Sequence, residues 1–255
     1  MSAYFELIKP TFIENWPQGL TCRSIAQADV PLTVAEARAL GSNSIDYGEA
    51  FGPMADISGI RAKVESAVAR FPRGAFVRLG SRSPKDSWQA HREGSMLVRA
   101  NRQGESSDPL RFLLDASERI YEDLTLAIQE NYAPHIFVRE WLEIPKWSEF
   151  RCFMRDRKLV GVSQYFYRDG VFPKITGEAE FIFWIINNFF AEFGFLCHLN
   201  DVVFDVIVKR KPHSEHQIVW EIKLLEINPF CEMTDPCLYS WNNGGDFDSK
   251  MRYNK

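Results

Sequence analysis

In the run DVVFDVIV, Asp201 and Asp205 interrupt an otherwise β-branched and aromatic stretch, and a carboxylate inside an apolar strand costs several kcal/mol unless something compensates it. Some twenty residues later LLEINPF repeats the anomaly: Glu226 and Asn228 are two apart, and on a strand they share a face. With no His or Cys beside them, two carboxylates and an amide oxygen form a hard-oxygen donor set suited to Mg²⁺. The competing reading is of strand acids held in salt bridges, to Lys223 or Arg151. Three cations stand among residues that otherwise read as ordered: Arg78 on an apolar strand, Lys85 in SRSPKD and Arg151 in EFRCFM. Each could neutralise a phosphate oxygen, and each could equally be a solvated charge or an ion-pair partner, Lys85 with Asp86 for example.

The elements that would position these groups follow from hydrophobic periodicity. Val34 to Leu40 and Asp56 to Phe71 read as helices, the second with Ile60, Val64, Ala67, Val68 and Phe71 at helical spacing. Phe76 to Leu79 reads as a strand entering the loop Gly80 to Asp86. From Asp108 to about Asn131 one helix is expected, opened by Asp108-Pro109 and carrying Leu110, Leu113, Leu114, Ile120, Leu124 and Ile128 on the face that must pack on a sheet. Ile136 to Trp141 reads as a strand opening a second lobe. Glu149 to Met154 and Leu159 to Tyr167 read as a hairpin turned at Arg155 to Lys158. An apolar helix is expected over Glu178 to Phe193, ended by Gly194, then strands over Val202 to Lys209 and Gln217 to Ile227. This gives two domains, 1–135 and 136–255, with a mobile loop near Gly94 to Pro109 around NRQGESSDP.

Composition excludes several classes. With 255 residues, 30 Lys+Arg against 34 Asp+Glu, 45% hydrophobic and 25% charged, the chain is neither disordered, collagenous nor histone-like. The uncharged apolar stretch Phe181 to Ala191 falls short of a membrane span, and MSAYFELIKP does not read as a signal peptide. Five cysteines without a C-x-x-C read as free thiols of a reducing compartment, the cytoplasm. No G-x-x-x-x-G-K-[ST], no G-x-G-x-x-G after a strand, no kinase signature and no K-x-D-G is present. A bound ATP would be held in another way.

FVRLGSRSPKDSW, FVREWLEIPKWSEFRCFM, KLVGVSQYFY, VVFDVIV, and LLEINPF followed by TDPCLYSW stand in an order that resembles the cell division cycle protein 123 family, an ATP-grasp family, over roughly Phe76 to Trp241. Residues 1 to about 70 fall outside the match, and the extended acidic C-terminal tail of eukaryotic members is not seen. The resemblance implies an α+β ATP-grasp fold, two lobes sandwiching ATP, with a divergent N-terminal region. It implies adenine contacts to the backbone along Arg139-Glu140-Trp141-Leu142, chiefly Glu140 and Leu142, and ribose contacts to Glu149. Phosphate contacts fall to Arg78, where the family more usually has Lys, with Lys85 and Arg151, the last two as catalytic cations. Mg²⁺ is assigned to Asp205, Glu226 and Asn228. Asp235 belongs to the family signature without a chemical role beyond capping a helix start.

Three functions follow, each soluble and without a membrane partner. First is an ATP-dependent ligase working through an acyl phosphate on a protein or peptide. Against it, Val203 stands two residues before the first metal aspartate, where many peptide-forming ATP-grasp ligases place Arg. Second is an ATP-dependent assembly chaperone like the translation initiation factor 2 assembly factor. Third is an RNA end-joining enzyme using adenylate transfer, with Arg92, Arg99, Arg102 and Arg111 tracking phosphates. Trp141 and Trp241 read as packing residues, and the His213/His216 pair is a weak zinc signal.

Overall fold

The computed structural model describes residues 2–100, 108–214 and 217–255, and side chains outside 211–218. The NRQGESSDP segment with Arg102 lies largely outside these residues, and the side chains of the His213/His216 pair lie outside them altogether. In chain order the elements are α1 (Ala3–Ile8), α2 (Gln18–Thr21), β1 (Gln27–Pro31), α3 (Val34–Ser42), α4 (Ser58–Val68), β2 (Ala75–Leu79), α5 (Trp88–Glu93), α6 (Arg111–Leu114), α7 (Glu118–Gln129), β3 (His135–Glu140), β4 (Glu149–Arg155), β5 (Lys158–Gln164), α8 (Pro173–Leu196), β6 (Val202–Ser214), β7 (Gln217–Pro229) and β8 (Met251–Arg252). They fall into two compact units: Met1–Glu14 with Ala26–Leu142, and Asn15–Ile25 with Glu143–Lys255.

The first unit is built on an antiparallel sheet ordered β1-β3-β2. Strand β3 is therefore the centre of the first sheet, and does not open a second lobe as the boundary at 135/136 supposed; the apolar run Ile136 to Val138 needs a neighbour on both edges. Side-chain alternation sends Ile136 and Val138 into a core with Val77, Leu79, Leu40, Val64 and Leu124. The alternate positions Phe76, Arg78, Phe137 and Arg139 share the opposite face. Helix α3 begins with a complete capping box between Thr33 and Glu36.

The helix expected from Asp108 to Asn131 is two helices. Asp115 leaves the helical region at ψ 174, its carboxylate accepts the Gln89 N–H at 2.5 Å, and Ser117 restarts the chain by accepting from the Ile120 N–H. Periodicity survives this break because Leu113, Ile120 and Leu124 still face one core. The Ser117 hydroxyl also donates to Asp86 at 2.7 Å, so one residue caps α7 and ties it to the loop carrying Lys85. Ser117→Ala is expected to cost about 1–2 kcal/mol in denaturant unfolding, and a loss below a few tenths would refute the double role.

The second unit carries a five-stranded sheet ordered β7-β6-β4-β5-β8. The β4–β5 hairpin turns at Asp156 and Arg157, both at positive φ (49° and 59°), as a type I′ turn demands, and the exposed Asp201 carboxylate accepts the Asp156 N–H at 2.7 Å. Strand β8 pairs parallel to β5, a contribution that the polar end of the chain does not announce.

Helix α8 covers the apolar face of this sheet through Ile182, Ile186 and Phe193, with the Phe193 ring stacked on Phe204 at 4.0 Å. It starts at Pro173, earlier than expected, because a break at Glu178 (φ −130°, ψ 17°) joins a short first segment to the straight helix. Gly194 does not end it; the last turn closes where the Cys197 N–H donates to Phe193. At 24 residues, α8 is long and apolar enough by length and composition to cross a membrane, which a count of Phe181 to Ala191 alone misses. One side of it is nonetheless core.

Candidate functional site

Strand register draws four side chains of the second unit into one row. Ser163 on β5 is opposite Arg151 on β4, Arg151 opposite Asp205 on β6, and Asp205 opposite Glu226 on β7. Two residues along, Asn228 is opposite Val203, and Glu149 lies two before Arg151, so all six share the face away from α8. A bulge at Leu225 keeps Glu226 in line with Asp205. The sheet thus packs Phe150, Cys152, Phe204 and Val206 on one side and collects its acids, amide and guanidinium on the other.

At the centre is a bidentate ion pair. Arg151 Nε and Nη2 donate to the two Asp205 oxygens, each at 2.8 Å, with Asp205 only 1% exposed and Arg151 6%. Burial alone would lower the Arg151 pKa; the facing carboxylate more than reverses that and holds it well above the ordinary value. The Arg151 guanidinium also lies over the Tyr165 ring at 4.9 Å and donates through Nη1 to the Asp235 carbonyl at 2.8 Å.

That last bond docks the TDPCLYSW segment onto the row. Asp235 Oδ1 accepts the Cys237 N–H, the Leu238 N–H donates to Ser163 Oγ, and Trp241 Nε1 donates to the Thr234 carbonyl. Asp235 therefore caps a turn and not a helix start. Trp241 packs among Phe153, Phe230 and Phe247. A cavity of about 210 Å³ opens here, lined by Arg151, Tyr165, Arg168, Asp235 and Cys237 among others. Burial pushes the Cys237 thiol up to about 12, too high for a thiolate nucleophile near neutrality.

Of the two partners that sequence offered for a salt-bridged strand acid, Asp205 takes Arg151. Lys223 instead lies 3.5 Å from Glu221. The same pair removes Arg151 as an unengaged phosphate cation, since three of its N–H groups already have acceptors. Metal binding is not thereby closed, because each carboxylate oxygen keeps a second lone pair. Among the described residues no group of three or more His, Cys, Asp and Glu is arranged to hold a metal ion. Asn228 adds the donor that such a group would lack. Its Nδ2 is buried and has no hydrogen-bond partner among the described residues, and turning the amide over would bring Oδ1 to the same place. An orphaned amide beside two carboxylates fits a hard cation.

In the first unit Arg78 is 3% exposed, and it donates to the Leu79 and Ser81 carbonyls at 2.9 and 3.3 Å. It braces the loop that follows its strand. Lys85 is exposed on that loop, and Asp86, its expected alternative partner, is taken by Ser117 Oγ and the Arg119 N–H. Along β3 the Glu140 N–H donates to Ala26 and the Trp141 N–H to Gly74, and the Glu140 carboxylate pairs with Arg73. The Trp141 amide is thus committed to the sheet. Glu149 is 9% exposed, which no surface charge would be.

Sequence reading named Arg139 only for its backbone and gave its side chain no role; that side chain is buried, the residue being 1% exposed, with its guanidinium 5.7 Å from the Phe76 ring centroid on the face it shares with Arg78. A lone cation inside IFVRE was the available signal. It also missed Ser163 and Tyr165, whose roles rest on a register that a single strand does not reveal.

Fold and site together define a two-unit α+β protein whose second sheet presents a buried acid–guanidinium row edged by an amide. The chain belongs to the D123 family, whose model matches residues 35–250; the match reaches well before the Phe76 start that the motifs suggested. Solved Cdc123 from Schizosaccharomyces pombe superposes with a TM-score of 0.74, covering 98% of this chain and 95% of that one at 18% identity, so the α+β fold is that of Cdc123. Curated relatives include cell division cycle protein 123 of Eremothecium gossypii, 30% identical over 74% of this chain and 51% of its own length. Proteins named translation initiation factor eIF2 assembly protein from Sclerotinia sclerotiorum and Xenopus laevis are each 27% identical, over 74% and 70% of this chain and 46% and 51% of theirs. The chain spans about half the length of these curated relatives.

Proposed function

We propose that the chain is an ATP-dependent assembly factor that binds Mg-ATP and acts on eIF2 or a closely similar protein complex. Kinship carries the partner: the relatives matched over some three quarters of the chain are named as eIF2 assembly proteins. This reverses the order that motifs alone suggest, in which a ligase comes first. Val203, opposite Asn228, puts an apolar side chain where acyl transfer would want a cation, which also favours assembly over ligation.

For ATP, the supporting observation is the row Arg151, Asp205, Glu226 with its orphaned Asn228 amide. Asp205, Glu226 and Asn228 are assigned to Mg²⁺, which when bound would offset phosphate charge. Arg78, Lys85, Glu149 and Arg151 are assigned to the nucleotide's phosphates and ribose, and Glu140, Trp141 and Leu142 to its base through backbone groups. Since Arg78 and Arg151 are already engaged, they act chiefly by holding the Lys85 loop and Asp205 in place.

The discriminating experiment follows radiolabelled ATP while the protein is incubated with eIF2 components, with candidate peptides, or with RNA. Tight binding, slow turnover and faster formation of the eIF2 complex are expected. ADP and phosphate released in step with a new peptide bond would overturn this in favour of a ligase. AMP and pyrophosphate with joined RNA would overturn it in favour of adenylate transfer.

A further inference from the structure

Glu14 carries a carboxylate sunk into the first unit, and nothing in the proposed ATP site uses it. Burial pushes its carboxyl above the ordinary range. Oε1 accepts the Tyr132 hydroxyl at 2.9 Å, while Oε2 is buried and has no hydrogen-bond partner among the described residues, an arrangement that is costly to keep. Anchoring the first helix does not require it, because Phe5, Ile8 and Phe12 already pack against Leu126 and Tyr132.

The carboxylate lies against Gly80, the residue that follows β2 and opens the loop carrying Lys85. A Cβ on Gly80 would stand 2.7 Å from the Glu14 Cδ, 3.0 Å from Oε1 and nearer still to Oε2, inside van der Waals contact. Space, and not a left-handed backbone, makes this residue a glycine. Its backbone is gripped as well: the Ile13 N–H donates to the Gly80 carbonyl at 3.1 Å, and the Gly80 N–H donates to the His135 carbonyl at 2.9 Å. Further along, Arg82 is tied to Asp123 and Glu122, and Asp86 to Ser117 and Arg119. Between those ties stand Ser83, Pro84 and Lys85, so the placing of the loop's ends sets where the Lys85 ammonium reaches.

We propose that Glu14 is a positioning residue of the nucleotide site: by occupying the place of a Gly80 side chain it fixes the near end of the loop, and with it the reach of Lys85 toward the phosphates. The inference rests on the reading of Lys85 as a phosphate ligand given above. It brings into the support of the site a residue that lies ahead of the family match over 35–250.

The test uses the full chain with Gly80→Ala, Glu14→Ala, both together, and Glu14→Gln. Hydrogen exchange at the amides of residues 81–86 reads the loop without any ligand, and calorimetry reads Mg-ATP and AMP. Gly80→Ala should speed loop exchange at least ~10-fold. It should also weaken Mg-ATP at least ~10-fold, about 1.4 kcal/mol, and AMP by less than ~2-fold. Adding Glu14→Ala vacates the space for the new methyl group and should bring both readouts back to within ~3-fold of the parent; a Gly80→Ala chain that folds only in this company makes the same point. Glu14→Ala alone should loosen the loop, and Glu14→Gln, which refills the space, should restore most of the loss. The inference is overturned by parental loop exchange in Gly80→Ala, by a double variant no better than Gly80→Ala, or by equal losses of Mg-ATP and AMP. A parent chain that binds no Mg-ATP overturns the nucleotide reading and the phosphate role of Glu14 with it, while the exchange rates still decide whether Glu14 fixes the loop.

Discussion

Arg151→Ala is expected to destabilise the second unit by about 3–5 kcal/mol, the range measured when one partner of a buried ion pair is removed. Asp205 is the reason. At 1% exposure it cannot recover the lost hydrogen bonds from water, so truncation leaves an uncompensated carboxylate between two apolar strands. The Asp235 carbonyl loses its donor in the same step, which frees the TDPCLYSW segment from the sheet. Arg151→Lys should fall between, because an ammonium cannot reproduce two parallel N–H···O bonds on neighbouring oxygens. The informative comparison is the double variant Arg151→Met, Asp205→Leu, expected to recover most of the loss or to exceed the parent. Urea unfolding followed by tryptophan fluorescence reads all three, and an Arg151→Ala protein within ~0.5 kcal/mol of the parent would refute the pair's structural weight. A stable double variant that no longer binds Mg-ATP would show that the pair is kept for its site and not for stability.

How far the sequence could be read follows from which interactions are local. Helix α3, the β4–β5 hairpin and the long β6–β7 pair were readable because periodicity and turn chemistry sit within a few residues of one another. The join of β3 was not. IFVRE looks the same whether it opens a second lobe or fills the middle of the first sheet, and only pairing with both Phe76 and Gln27 as neighbours of Arg139 decides it. The split between α6 and α7 was hidden for a related reason: Asp115 leaves the helix to meet Gln89, 26 positions away, and no window of residues carries that contact. In the site, spacing placed Glu226 and Asn228 on one face correctly. It could not say that Arg151 would stand directly across from Asp205, because register between strands 54 residues apart is a property of the whole sheet. The cation proposed for a phosphate and the acid proposed for a metal turned out to be each other's nearest partners.

Asn228→Ala separates binding from folding, and its expected result is the reverse of Arg151→Ala. The Asn228 Nδ2 makes no hydrogen bond among the described residues, so truncation forfeits none there and removes a buried polar atom that is costly to keep. Stability should therefore change by less than ~0.5 kcal/mol, in either direction. Mg-ATP affinity, measured by calorimetry, should fall at least ~10-fold, about 1.4 kcal/mol, because the amide belongs to the proposed set and, among the described residues, its buried Nδ2 end is not held by a protein partner, so the side chain can turn its oxygen to a cation at no cost in hydrogen bonds there. Glu226→Gln supplies the matching control: it keeps volume and an acceptor oxygen but removes charge, and should weaken Mg-ATP more than metal-free ATP. A structural amide predicts the opposite pattern for Asn228→Ala, with unfolding shifted and affinity untouched. That outcome would leave the Arg151–Asp205 pair as a piece of architecture and send the search for the metal to another part of the chain.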